Sequence, residues 1–287
     1  MDPVRIAIIG GSGVYQMPEV TDAIEHRLET PFGSPSDSIV VGRLHGQRVA
    51  FLPRHGRGHV LTPTEVPYRA NIYALKSLGV THVIGISAVG SLKLELEPGH
   101  VVVPDQIFDF TKGRARSFFE GGLVAHVSVA DPLCPTLSTI VAQAARQAGG
   151  IVHQGGTFVT IEGPRFSTKA ESQVWRGLGF SIIGMTASPE AFLAREAEMH
   201  YTVMAHVTDY DVWHTDETVT VDLIVARFAK NVALAQRAVA AAVERIAATG
   251  FACGCESALA SALTTQRDRI APEARQRLAL LVDKYLK

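Results

Sequence analysis

The sequence predicts an α/β fold: a single domain with a twisted mixed β-sheet flanked by helices. Three observations carry this. Short apolar runs alternate with helical patterns along the chain. Polar and glycine-rich turns follow those runs directly, where ligands of open α/β sheets sit. The 287 residues are 47% hydrophobic and 19% charged, which supplies a large core and argues against disorder.

In chain order, VRIAIIGG (4–11) reads as a buried strand ending in glycines, and VAFLPRHG (49–56) as a strand entering a basic loop. Pro63 to Leu78 reads as a helix stopped by Gly79. THVIGISAVGS (81–91) and HVVVPDQIFDF (100–110) each read as a strand, and Pro135 to Gln147 as a helix closed by Gly149 and Gly150. FVTIEGPRF (158–166), SIIGMT (181–186) and YTVMAHVTD (201–209) read as strands, with the helix SPEAFLAREAEM between the last two. A long helix follows, because Val221, Ile224, Val225, Phe228 and Val232 share one face. The expected division is a domain over 1–255 and a packed tail over 256–287, in two helical pieces separated near Pro272.

A net charge of −1 argues against a nucleic-acid binder, and no run of about 18 apolar residues predicts a membrane span. The N-terminus lacks a signal-peptide pattern, and the three cysteines suit a reducing compartment, so the expected location is cytoplasmic. Cys253 and Cys255 form a close pair that could be a strained disulfide; with no further ligands nearby in sequence, inert thiols are the simpler expectation over a metal site.

The turns after the strands hold the chemistry. GGSG (10–13) offers backbone N–H groups and the Ser12 hydroxyl to an anion, although a tight turn alone explains it more simply, and it is neither a dinucleotide fingerprint nor a P-loop. RHGRGH (54–59) places Arg54 and His55 directly after a core strand, where anion binding accounts for them better than a solvated loop does. Ser87 and the Ala88 amide, and Thr186 beside a helix start with Ser188 as N-cap and Pro189 at N1, add weaker signals. Together they describe a phosphate site. HVTDYDVWH (206–214) puts Asp209 and Asp211 two positions apart; on one strand they would share a face. Such a pair could bind metal, bind an amino-bearing ligand, move a proton, or sit solvated.

These motifs, together with NIYALKSLGVTHVIGISAVGSL, TIEGPRFSTKAES and MTASPEAFLAREA, resemble the purine nucleoside phosphorylase family, and within it the 5′-methylthioadenosine phosphorylases, over roughly residues 4–250. The resemblance implies phosphorolysis of 5′-methylthioadenosine to adenine and 5-methylthioribose 1-phosphate by a homotrimer or a dimer of trimers. Inorganic phosphate is then a co-substrate, and no metal or organic cofactor is expected. Phosphate would be held by Ser12, Arg54, His55, Ser87, Ala88 and Thr186, with serine where many relatives have threonine at the positions of Ser12 and Ser87. Met185 would lie along the ribose, and Phe166, Ser167 and Tyr210 would line the base site. Asp209 would serve the base at N7 and Asp211 its 6-amino group, as the catalytic pair. The apolar Val221, Ile224 and Val225 would face the 5′ substituent, although core packing would also explain them and the loop before Val221 is one residue short. His126 would approach that substituent from a neighbouring subunit. Rival functions are a 6-oxopurine or methylthioinosine phosphorylase, a nucleosidase, and a non-catalytic nucleoside binder.

Overall fold

The computed structural model describes residues 3–11, 13, 17–214 and 219–286. Its elements in chain order are β1 (Ile6–Gly10), β2 (Thr21–His26), β3 (Ile39–Leu44), β4 (Gln47–Pro53), α1 (Tyr68–Ser77), β5 (His82–Ser91), β6 (Val101–Val103), β7 (Gln106–Phe110), α2 (Pro135–Gln147), β8 (Val152–Gln154), β9 (Thr157–Ile161), α3 (Lys169–Gly177), β10 (Ile182–Gly184), α4 (Ala187–Glu196), β11 (His200–Asp209), α5 (Val221–Ala248) and α6 (Pro272–Val282).

The strands form one mixed sheet, in the order β2-β3-β4-β1-β5-β10-β9-β7, with β11 joining β5 to β6, and β6 to β8. β5 is central. It runs parallel to β1 and β11, while its last residues pair antiparallel with β10. Both faces of the sheet are covered. Along β1, Ala7 and Ile9 enter the cluster containing Tyr68 and Ile72 of α1 and Leu193 of α4; Ile6 and Ile8 enter the opposite one, with Leu137 of α2 and Val239 of α5. Leu259, Leu278, Leu281 and Leu286 join the first cluster.

Several elements differ from expectation. The first helix begins at Tyr68 rather than Pro63, because Pro67 disfavours helical backbone at Val66 and brings no N–H of its own. The run 100–110 is two strands. It breaks at Pro104 and Asp105, where the Asp105 carboxylate accepts from the Gly156 N–H at 3.0 Å, so β6 pairs with β11 and β8 while β7 pairs with β9. After α5 the chain makes 3-10 turns at Gly254–Ser257 and Arg267–Arg269, leaving α6 as the only α-helix beyond residue 255 among the described residues. No helix among the described residues is long and apolar enough to cross a membrane.

Candidate active site

The site is built where β5 and β11 end side by side. Ala205 lies opposite Ser87, His206 opposite Ala88, and, after an irregularity, Asp209 opposite Gly90. Asp209 ends the strand, and Asp211 opens a 3-10 turn with φ 53°. The two carboxylates therefore converge through a turn and not through the strand pleat. Both are buried. The Asp209 Oδ1 accepts the Asp211 backbone N–H at 2.8 Å, and its Oδ2 accepts the Thr208 hydroxyl at 2.8 Å. The Ser172 hydroxyl of α3 donates to Asp211 Oδ2. Burial pushes the Asp211 carboxyl above its ordinary range, Ser172 opposes this, and the nearby Asp209 charge adds to it. Beneath them lies Gly90, where a Cβ would come within 3.0 Å of Asp209 Oδ1 and 3.2 Å of the Asp211 Cβ.

Further back along β5, Ser87 Oγ lies 3.2 Å from Thr186 Oγ1, and both are buried. Thr186 immediately precedes α4. Inside that stretch Ser188 is extended (φ −105°, ψ 137°), so the regular turns start at Pro189, as a Ser-Pro helix start requires; the Ser188 hydroxyl makes no hydrogen bond. Arg54 leaves β4 into the buried interior. Its Nε donates to Glu190 Oε2 at 2.7 Å, Nη2 to Glu190 Oε1 at 2.8 Å and to the Ile9 carbonyl, and Nη1 to the Ile86 carbonyl at 2.8 Å. Burial works against the charge, but Glu190 outweighs it and holds the guanidinium protonated. The Tyr201 hydroxyl donates to Glu190 Oε1 at 2.7 Å, and Gly85 makes room for that pair, since a Cβ there would come within 2.5 Å of the Tyr201 oxygen. With four of its five N–H groups used, Arg54 has one Nη1 hydrogen left for a ligand.

His55 donates from Nδ1 to the Leu61 carbonyl at 2.9 Å and stacks on His59 at 4.3 Å. Burial, then the Arg54 charge, lower its pKa to about 4, so at neutral pH the ring is uncharged with Nε2 as acceptor. Such a ring meets phosphate by accepting a hydrogen bond from P–OH.

Arg114, which nothing in its local sequence marks, clamps the loop carrying Met185. Its Nη1 donates to the Met185 and Ser188 carbonyls at 2.7 Å each, Nη2 to the Glu162 carbonyl at 2.6 Å, and Nε to Glu162 Oε1 at 3.2 Å. Glu190 and Ser172 also escaped the sequence reading. A glutamate in the first turn of a helix reads as a solvated partner of the helix dipole, and only the fold reveals its burial.

The remaining expected residues are placed as follows. Ser12 lies outside the described residues. Phe166 is half-buried, and the Ser167 hydroxyl is buried without a hydrogen bond. The Tyr210 hydroxyl donates to the Leu94 carbonyl at 3.1 Å, leaving its ring against Trp213 and His214. Val221 and Val225 are 63% and 60% exposed and Ile224 is half-buried, so core packing within this chain does not explain them. Arg227 of the same helix donates to the Thr208 carbonyl at 2.9 Å, tying α5 to the end of β11. His126 is exposed and lines a separate cleft with Arg116, Ser117, Phe192 and Glu196, so one chain does not bring it to Asp209. Among the described residues, Asp209 and Asp211 belong to no cluster of three or more converging metal-ligand atoms.

A floor of strand ends, a hydroxyl pair with a buried arginine behind it, and two buried carboxylates are the parts of a site for an anion and a hydrogen-bonding heterocycle. The sequence matches the phosphorylase superfamily over residues 5–246, and the chain belongs to that superfamily. It is similar along nearly its whole length to proteins named S-methyl-5′-thioadenosine phosphorylase. It is 54% identical to that of Chloroflexus aurantiacus, covering 99% of each chain, and 52% identical to that of Gloeobacter violaceus, covering 98% of this chain and 96% of the other. Among solved structures it resembles a methylthioadenosine phosphorylase from an antarctic soil metagenomic library, at TM-score 0.94 and 49% identity over 98% of this chain and all of the other. The methylthioadenosine phosphorylase of Schistosoma mansoni in complex with tubercidin superposes at TM-score 0.83 and 38% identity over 90% of this chain and 96% of that one.

Proposed function

We propose that this chain cleaves S-methyl-5′-thioadenosine with inorganic phosphate, giving adenine and 5-methylthioribose 1-phosphate. The observation that carries the reading is what gathers at the C-terminal end of β5: Ser87 meets Thr186, and three residues on, a backbone rise of about 10 Å, Gly90 leaves room for Asp209 and Asp211. That span suits a phosphate, a ribose and a base in line.

Phosphate sits against Ser87, the Ala88 amide, Thr186 and the remaining Arg54 donor, with His55 Nε2 accepting a hydrogen bond from its P–OH; Ser12 is assigned to the same cradle from the sequence resemblance alone. As the bond from C1′ to the base lengthens, positive charge gathers on the ribose and the phosphate anion balances it. A phosphate oxygen bonds to C1′, and the electrons of the broken bond go to the base. N7 then receives a proton from the carboxyl pair, for which the raised Asp211 and its neighbour Asp209 are suited. A carboxylate also accepts from the 6-amino group, which favours adenine over a 6-oxopurine. Met185 lies along the ribose, Phe166, Ser167 and Tyr210 around the base, and Val221, Ile224 and Val225 against the methylthio group. The exposure of Val221 and Val225 supports a homotrimer in which a neighbour, through His126, closes this end. The three free cysteines suit work in the cytoplasm. Residues 1–255 carry the activity in this reading, with 256–287 as a tail on the same core.

The test is base release by purified protein from methylthioadenosine, inosine and methylthioinosine, with and without phosphate. Adenine released only with phosphate is the expected result. Release without phosphate identifies a hydrolase, and turnover of the 6-oxo substrates alone overturns the assignment of the carboxylates.

A further inference from the structure

At the opposite end of β11, about 30 Å from Asp209 by strand length, the fold assembles a group that the sequence scatters. Cys134 stands just before α2, His200 opens β11, and Cys253 and Cys255 lie in the turn after α5. One ligand atom from each falls within 4.8 Å of all the others. The Cys134 and Cys253 sulfurs are 3.5 Å apart and those of Cys253 and Cys255 3.3 Å. His200 Nδ1 lies 3.4 Å from the Cys134 sulfur and 3.1 Å from that of Cys253. All three cysteines are free.

We propose that Cys134, His200, Cys253 and Cys255 form a structural zinc site. A tetrahedral ion with Zn–S of about 2.3 Å and Zn–N of about 2.0 Å has edges of about 3.7 Å between sulfurs and about 3.5 Å between sulfur and nitrogen. The four separations given above need to open by only a few tenths of an ångström, and the two remaining edges, both to the Cys255 sulfur, lie within 4.8 Å. The histidine is oriented for the task. Its Nε2 lies 3.2 Å from Glu256 Oε1, and a carboxylate accepts only, so Nε2 carries the proton and the Nδ1 lone pair faces the sulfurs. Arg195 Nη1 donates to the Cys255 sulfur at 3.4 Å, which offsets the charge that three thiolates leave on a dication. A cleft of about 500 Å³ lined by Leu133, Arg195, Cys253 and Cys255 gives an entry path. Four protein ligands leave no position for water or substrate, so the role is structural. On binding, the three thiols release their protons to solvent and no electron moves. The ion joins the ends of three segments that are far apart in sequence.

The site is tested on the intact protein, prepared with a phosphine reductant and without chelator. Elemental analysis is expected to find about one zinc per chain. Cobalt(II) exchanged for it should give the intense ligand-field bands and the thiolate charge-transfer absorption of a tetrahedral thiolate site. Cys255→Ser and His200→Gln should each lose the metal, and a strong chelator should lower the melting temperature of the wild type but not of the variants. If the variants do not fold, the wild-type metal content and cobalt spectrum decide alone. Reduced protein that contains no zinc and takes up neither added ion overturns the proposal. So does an intact mass showing a disulfide among the three cysteines under the same reducing conditions. None of these readouts depends on turnover.

Discussion

Asp209 is held in part by hydrogen bonds of different origin, one from the side chain before it and one from the backbone after it. Asn in its place would keep a carbonyl oxygen but exchange the other oxygen for a donor, which suits O6 of a 6-oxopurine and repels a 6-amino group. Asp209→Asn is therefore expected to cut kcat/KM for methylthioadenosine by a factor of roughly 5 to 150, for a mismatch of about 1–3 kcal/mol, and to raise the relative rate on methylthioinosine. Competing-substrate kinetics measure this; an unchanged substrate ratio would remove Asp209 from base recognition. Both aspartates were legible in the sequence as residue types at a suggestive spacing. Their convergence was not, because it depends on a positive φ at Asp211 and on the missing side chain of Gly90, neither of which alternation along a strand implies. Ser172 and Arg114 were invisible for a related reason: each acts on a residue far away in the chain.

Among the elements, the first turn of α4 links the anion side of the site to the core. It carries Glu190, which grips Arg54 from β4 and receives Tyr201 from β11. Glu190→Gln leaves the buried guanidinium without its counter-charge. The expected loss is on the order of 3 kcal/mol, read from urea denaturation midpoints. A loss below about 1 kcal/mol would mean that the Ile9 and Ile86 carbonyls suffice for the arginine. Strongly patterned elements were readable from sequence alone: β5, α2 and α5 fall where apolar periodicity and capping put them. The short strands were not. β2 is exposed along nearly its whole length, and β6 and β7 share one apolar run that only their different partners divide.

For the whole molecule, buried neutral histidines set the acid limit. Burial lowers His206 to about 4, where neither ring nitrogen finds a partner, and burial with the Arg54 charge does the same to His55. A depressed histidine favours the fold above its unfolded pKa of about 6.5 and loses that contribution as pH falls toward about 4. Stability should thus decline between about pH 6.5 and pH 4, and His206→Leu should flatten part of that decline. Parallel pH profiles of urea midpoint for variant and wild type would refute the assignment to His206. β11, buried at every position from His200 to Asp209, spans the molecule beside β5. Residues can be gained or lost in loops while the sheet stays in register. In β11, removing one residue would turn every following side chain to the other face and leave Asp209 pointing away from its partners. Length variation tolerated in natural descendants of this gene should therefore collect outside residues 200–209, while point substitutions within the strand remain possible.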